Sequence, residues 1–276
     1  MTLDAHAHLW KPSQGFDIKP LRDTPAFTAR DWLPEDIAPE MARLGIGRVI
    51  ITQSAPQVAE TRALLDHCRG NPIVAGVVGW ADLASDAGLG EAAALLDDPL
   101  VLGLRLQLRR MPDGYVSRPE VGRGLDLIEE NGKVAVFLSE ARHHTEVLEV
   151  LRRRPGLRAV LNHGGLPDIA GGRIDEWEAA MRRFASETAV VTQLSGLVSL
   201  AGRGWTREAL RGPAARIFEI FGPERIMVAS DWPMPVAHGV GYGDWWDIAA
   251  DLMDGCGLTA EEKRSVLGEV ARRVHL

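Results

Sequence analysis

The chain has 276 residues, 46% of them apolar and 25% charged, with 31 Lys and Arg against 38 Asp and Glu for a formal charge of −7. That acidic balance, without a basic stripe, argues against a nucleic-acid partner, and no apolar run approaches the ~20 residues that span a bilayer. Two cysteines, Cys68 and Cys256, rule out a disulfide scaffold and fit a reducing compartment. MTLDAHAHLW carries neither the basic nor the apolar region of a secretory signal, so the expectation is a soluble cytoplasmic protein.

Short apolar strands alternate with stretches of helical period along the whole chain. The strands are expected at Leu3–Leu9, Val49–Gln53, Ile73–Trp80, Leu100–Gln107, Val134–Glu140, Ala159–His163, Val190–Leu194 and Ile226–Ser230. The helices are expected at Pro34–Leu44, Gln57–Arg69, Gly88–Leu96, Glu120–Asn131, His143–Arg153, Asp175–Glu187, Arg207–Phe221 and Ala260–Val274. The last of these opens with the capping box Thr259-x-x-Glu262. Eight such pairs without a linker predict a single (β/α)8 barrel spanning residues 1–276, with a doubly wound open sheet as the alternative. Two long connections, Trp10–Leu33 and Trp232–Asp244, follow strand ends on the catalytic face of that fold and read as lids or binding loops.

Side chains alternate across a strand, so Asp4, His6 and His8 should share one face and Leu3, Ala5, Ala7 and Leu9 the other. Two imidazoles in H-x-H spacing suit a metal or a substrate oxygen, and equally suit a hydrogen-bonded structural pair. His163 closes the sixth strand before Gly164 and Gly165, and Asp231 follows the eighth directly. In a barrel all four reach one rim. An apolar strand offers a carboxylate nothing, so Asp231 needs partners there, unless it serves as a turn cap before Pro233. The same alternation puts Arg105 and Gln107 in the lumen with Val101 and Gly103, opposite Leu102, Leu104 and Leu106. Arg105 is then a grip for a substrate carboxylate or hydroxyl, or a salt-bridge partner of Glu140 or Asp4. Glu140 at the fifth strand's end, with Trp10, Trp80 and Trp232 beyond strands 1, 3 and 8, completes the candidate substrate contacts. Ser195-Gly196 should line the mouth, and Cys68 should be buried.

LDAHAHLW, VLNHGG and ASDWP resemble, in order, the signature segments of the amidohydrolase superfamily and its amidohydrolase-2 branch. The stretch from Trp32 to Leu83 and the VLGLR segment resemble the branch's lactonase group, which includes sugar-acid lactonases such as fuconolactonase and the pyrone-dicarboxylate lactonase. The resemblance covers nearly the whole chain. It implies a (β/α)8 barrel and hydrolysis of a lactone of a sugar acid or related carboxylic acid. Asp231 would be the general base, with His6, His8 and His163 around the carbonyl.

The chain departs from the metal-dependent pattern. Strand 4 offers no Lys or acid and strand 5 no His at its tip, which argues against a bridged binuclear centre. His143 and His144 follow on the next helix and read as surface residues. Gly268-Glu269-Val270 replaces the family's Gly-Glu-Asn. His6, His8 and Asp231 remain as ligands for one Zn²⁺ or other divalent cation, and metal-independent chemistry is left equally open. Two further readings stand beside the lactonase: a zinc-dependent decarboxylase of an aromatic or muconate-type acid, and a silent barrel that binds a small ligand. Homo-oligomerisation is left open.

Overall fold

Runs of Val, Ile, Leu and Ala that bury both faces form parallel strands once helices cover the outside. The computed structural model describes residues 1–276 and realises eight of them. They are β1 (Thr2–Ala7), β2 (Ile46–Thr52), β3 (Val74–Gly79), β4 (Val101–Gln107), β5 (Val134–Leu138), β6 (Arg158–Leu161), β7 (Val191–Leu194) and β8 (Ile226–Val228). They pair in sequence order, all parallel. The covering helices are α1 (Pro34–Leu44), α2 (Val58–Cys68), α3 (Asp86–Leu96), α4 (Pro119–Glu130), α5 (Ala141–Arg152), α6 (Asp175–Glu187), α7 (Arg207–Phe221) and α8 (Tyr242–Gly255). This is the expected (β/α)8 barrel. No helix is long and apolar enough to cross a membrane.

The eighth outer helix is not the one expected. It is α8, which begins inside the expected loop Trp232–Asp244 and runs through residues left unassigned above. The segment Ala260–His275 does another job. After its Thr259 capping box it kinks through a π-turn at Ser265–Glu269. Its last turns then place Val270, Ala271 and Val274 in a cluster with Leu3, Ala5, Ile50, Val78, Leu102, Val136, Val160, Val191 and Met227. Only the lumen brings all eight strands together, so this segment plugs the barrel floor.

That cluster also corrects two alternations. Leu3 and Ala5 face the lumen, while Asp4 reaches outward to Tyr242 of α8. Pairing slips between Asp4 and Ala7, which restores His6 and His8 to the inside and Ala7 to the helix layer. On β4, Leu102 lies inside and Val101 outside, because the β3–β4 pairing slips by one residue there. Arg105 and Gln107 beyond the slip point inward as expected.

The β8–β1 seam has a single bridge, Ala7 to Trp232. It is closed by His8 N donating to the Trp232 carbonyl (2.7 Å) and Asp231 N to that of His6 (2.8 Å). Asp4 adds a side-chain clamp, accepting from Ser230 N (2.9 Å), His6 N (3.3 Å) and the Tyr242 hydroxyl (3.1 Å). The loop Trp10–Leu33 is a packed excursion. Trp10 and Trp32 exchange backbone hydrogen bonds across its neck and Phe27 is buried against both rings.

Candidate active site

Above the apolar floor the lumen becomes polar. The strand tips turn His6, His8, His163 and Asp231 toward one point, where all three imidazole Nε2 atoms surround Asp231 Oδ1. His8 is 3.4 Å away, His6 3.7 Å and His163 3.8 Å, with 3.3 Å between the Nε2 atoms of His6 and His8. All four side chains are buried. His163 and Asp231 both hold left-handed backbone, φ 53° and 55°. His and Asp enter that region more readily than most residues, and strain of this kind persists where the surroundings over-determine a site.

Each ring is held from behind by a different group. The His8 Nδ1 meets the Thr52 carbonyl at 2.7 Å and Ser54 Oγ at 2.9 Å. The His163 Nδ1 meets Ser195 Oγ at 2.7 Å. A Cβ on Gly196 would lie 2.8–2.9 Å from atoms of the His163 ring, so the glycine is required there. The His6 Nδ1 faces the Asn162 amide nitrogen at 3.3 Å.

Burial and the surrounding positive charge act in opposite senses on the base and the rings. Burial alone would raise the Asp231 carboxyl. The His163 and His8 imidazoles and the Arg105 guanidinium beside it outweigh it and hold the group below the ordinary carboxylate range. Burial pushes the His163 imidazole down to about 4 despite Asp231. It pushes His6 well below its usual value, with the charges of His8, Arg105 and His163 adding to it. The site therefore keeps an ionised carboxylate beside neutral His6 and His163 rings at neutral pH.

Arg105 is buried at this level and forms neither expected salt bridge. Its Nε donates to Asn162 Oδ1 (2.8 Å) and its Nη1 to the Gln53 carbonyl (3.0 Å). Burial lowers its guanidinium to about 10, with Asp231 and Glu60 opposing the fall. Glu140 sits half-buried at the rim, bonded to Arg109 (2.8 Å) and near Arg142 (3.5 Å). Gln107 Nε2 donates to Gln53 Oε1 and the Ser54 carbonyl, both at 2.8 Å. Trp10 stacks behind His8 and donates to Ser54 Oγ, Trp232 packs edge-on against Trp32, and Trp80 lies half-buried beyond β3. His143 and His144 are buried, correcting the surface reading. His143 caps α5 through its Nδ1 and His144 packs on Phe184.

Sequence reasoning missed several supporting residues. Glu60, buried on the Leu64 stripe of α2, accepts from Ser54 N and Ala55 N and so fixes the loop behind His8. Burial raises its carboxyl to about 8 against those hydrogen bonds. Asn162, one residue past β6, and Gln193 on β7 were missed as well, because nothing local to either residue shows its partners.

His6, His163 and Asp231 offer ligand atoms that all lie within 4.8 Å of one another. Two ligands of one tetrahedral Zn²⁺ stand about 3.3–3.5 Å apart when the bonds are near 2.0–2.1 Å. The 3.3–3.8 Å spacings around Asp231 and the N/O donor types thus fit one divalent cation.

The amidohydrolase family profile matches residues 3–275. The L-fucono-1,5-lactonase of Burkholderia ambifaria is 33% identical over 88% of this chain and 84% of its own. The 2-pyrone-4,6-dicarboxylate hydrolase of Comamonas testosteroni is 26% identical over 84% of this chain and 77% of its own. An amidohydrolase from Burkholderia multivorans, solved with bound zinc, superposes with a TM-score of 0.90 at 28% identity over 100% of this chain and 99% of that one.

Proposed function

Because the chain belongs to the amidohydrolase family, we propose that it opens the lactone ring of a sugar acid, with Asp231 as general base. The observation that carries this reading is the Asp231 carboxylate, held ionised at the focus of three buried imidazoles on the catalytic rim. Asp231 takes a proton from water as its oxygen bonds to the lactone carbonyl carbon. The imidazoles of His6 and His163 donate to the oxyanion that forms, with His8 held beside them. Collapse of that intermediate breaks the ring C–O bond, and Asp231 returns the proton to the departing ring oxygen. A divalent cation held around Asp231 would supply Lewis-acid polarisation of the same carbonyl.

The rim favours a neutral polyhydroxy lactone over a dicarboxylate one. A second substrate carboxylate needs a free cation, yet Arg109 is paired with Glu140, Arg110 with Asp17 and Arg142 with Asp113. Arg105 uses Nε and Nη1 within the protein, which leaves Nη2 for one hydroxyl or carbonyl oxygen. The L-fucono-1,5-lactonase relative fits that class. Proton release in weak buffer against 1,4- and 1,5-sugar lactones and unsaturated dicarboxylate lactones, with and without chelator, tests the proposal. Turnover of sugar lactones that disappears in Asp231→Asn supports it. Turnover of only the dicarboxylates, or full activity in the variant, overturns it.

A further inference from the structure

The two histidines of the H-x-H pair are backed by groups of opposite character. Behind His8 stands a backbone carbonyl, which can only accept, so His8 Nδ1 carries a proton. A neutral ring in that state presents a lone pair on Nε2, the usual state of a metal-ligating histidine. Behind His6 stands the Asn162 amide, and its orientation is fixed from two sides. Arg105 Nε can only donate, so the atom 2.8 Å from it is the Asn162 oxygen. The Asn162 nitrogen therefore faces both His6 Nδ1 (3.3 Å) and Gln193 Oε1 (2.7 Å). Gln193 is oriented independently, its nitrogen donating to the Ala5 carbonyl at 3.4 Å. Reversing Asn162 would set nitrogen against the Arg105 donor and oxygen against Gln193 oxygen.

We propose that Asn162 is a positioning residue that keeps the His6 proton on Nε2 in the metal-free site, so that His6 acts there as a hydrogen-bond donor. A neutral ring whose Nδ1 accepts from an amide must carry its proton on Nε2. That proton points to His8 Nε2 (3.3 Å) and Asp231 Oδ1 (3.7 Å), where a developing oxyanion would sit. A continuous donor chain results: Arg105 to Asn162, Asn162 to His6, His6 to His8, and His8 to the Thr52 carbonyl. The donor role of His6 rests on the lactonase reading, whereas its tautomer does not.

Long-range proton–nitrogen NMR correlation of histidine-labelled protein reads the tautomer directly, with His6 assigned by the signal lost in His6→Gln. Wild type should show the proton on Nε2. Asn162→Asp keeps an acceptor for Arg105 but sets a carboxylate oxygen against His6 Nδ1, drawing the proton there and freeing Nε2. Zinc affinity, measured by competition with a chromophoric chelator, should then rise about tenfold or more, the scale of effects seen when the partner of a ligating histidine changes. Lactone kcat should fall at the same time. A wild-type proton on Nδ1 overturns the proposal without any variant. So does a folded Asn162→Asp protein whose tautomer and zinc affinity are unchanged. The expected tautomer in a protein that turns over no lactone would sink the lactonase reading alone.

Discussion

Substituting Gly196 by alanine separates backbone strain from displacement of a single ring. Gly196 has φ 68°, and its added Cβ would stand 2.8 Å from His163 Cγ and 2.9 Å from Nδ1. Gly45, at the end of α1, has the same φ of 68° and nothing within 4 Å of its would-be Cβ. Left-handed backbone costs a Cβ-bearing residue roughly 1–2 kcal/mol, so both variants should lose that much stability. For a chain of this size, this corresponds to a fall in Tm of about 2–8 °C. Only Gly196→Ala also drives the His163 ring from its place, by several tenths of an ångström, against the 2.7 Å bond to Ser195. A misplacement approaching 1 Å costs on the order of 10² in rate. Thermal unfolding by circular dichroism and initial rates on the best sugar lactone give both quantities. Gly196→Ala protein with the kcat of Gly45→Ala would refute the role assigned to His163.

The other expectations concern the ring itself, the seam and the protons. His163→Ala should keep the fold and lose about 10²–10³ in kcat, the scale of one oxyanion donor; near-normal turnover would remove His163 from the mechanism. Tyr242→Phe deletes the hydroxyl that reaches Asp4 across the seam. It should destabilise by about 1–3 kcal/mol in urea titration, and an unchanged midpoint would show that the clamp is inert. Stability should peak near pH ~6.5 and fall on both sides. Below it, His144 and His275, held down to about 4 from 6.5, stay neutral in the fold while the unfolded chain takes up protons. His163 adds to that loss, and Asp4, raised to about 6, opposes it. Above it, Glu60 keeps its proton up to about 8 while the unfolded carboxyl, with an ordinary value of 4.5, has released its own. Its contribution is thus lost progressively as pH rises from about 4.5 to about 8, so below the peak it joins Asp4 in opposing the histidines. Glu60→Gln should flatten the alkaline side, and a wild-type Tm still rising between pH 7 and 8 would contradict the assignment.

The barrel and the four central side chains could be read from the sequence because they rest on local signals. Apolar runs and helical periods mark the elements, and a polar residue at an apolar strand's tip has few structural uses. What failed was governed by contacts across the chain. Asp4 alternates with His6 on paper, but the register slip in β1 turns it outward to Tyr242. Leu102 is brought inside by a similar slip against β3. The helix Tyr242–Gly255 was hidden by Gly239, Gly241 and Gly243 at its start, which read as loop, although Asp244 caps it through Gly241 N. Asn162 was written next to His163, but its importance depends on Arg105 and Gln193, from two other strands.

The seam between β1 and β8 ties the order of synthesis to the completion of the candidate site. His6 and His8 are made well before Asp231, and the strands that carry them meet only when the sheet closes. At about 5–20 residues per second, Asp231 follows His6 and His8 by roughly tens of seconds. Until then the polypeptide lacks the carboxylate at the centre of the candidate site, the base of the proposed reaction. On the proposed reading, turnover would report that β8 has docked on β1, which would make the catalytic rate an assay for completed closure in refolding, circular permutation or assembly from fragments.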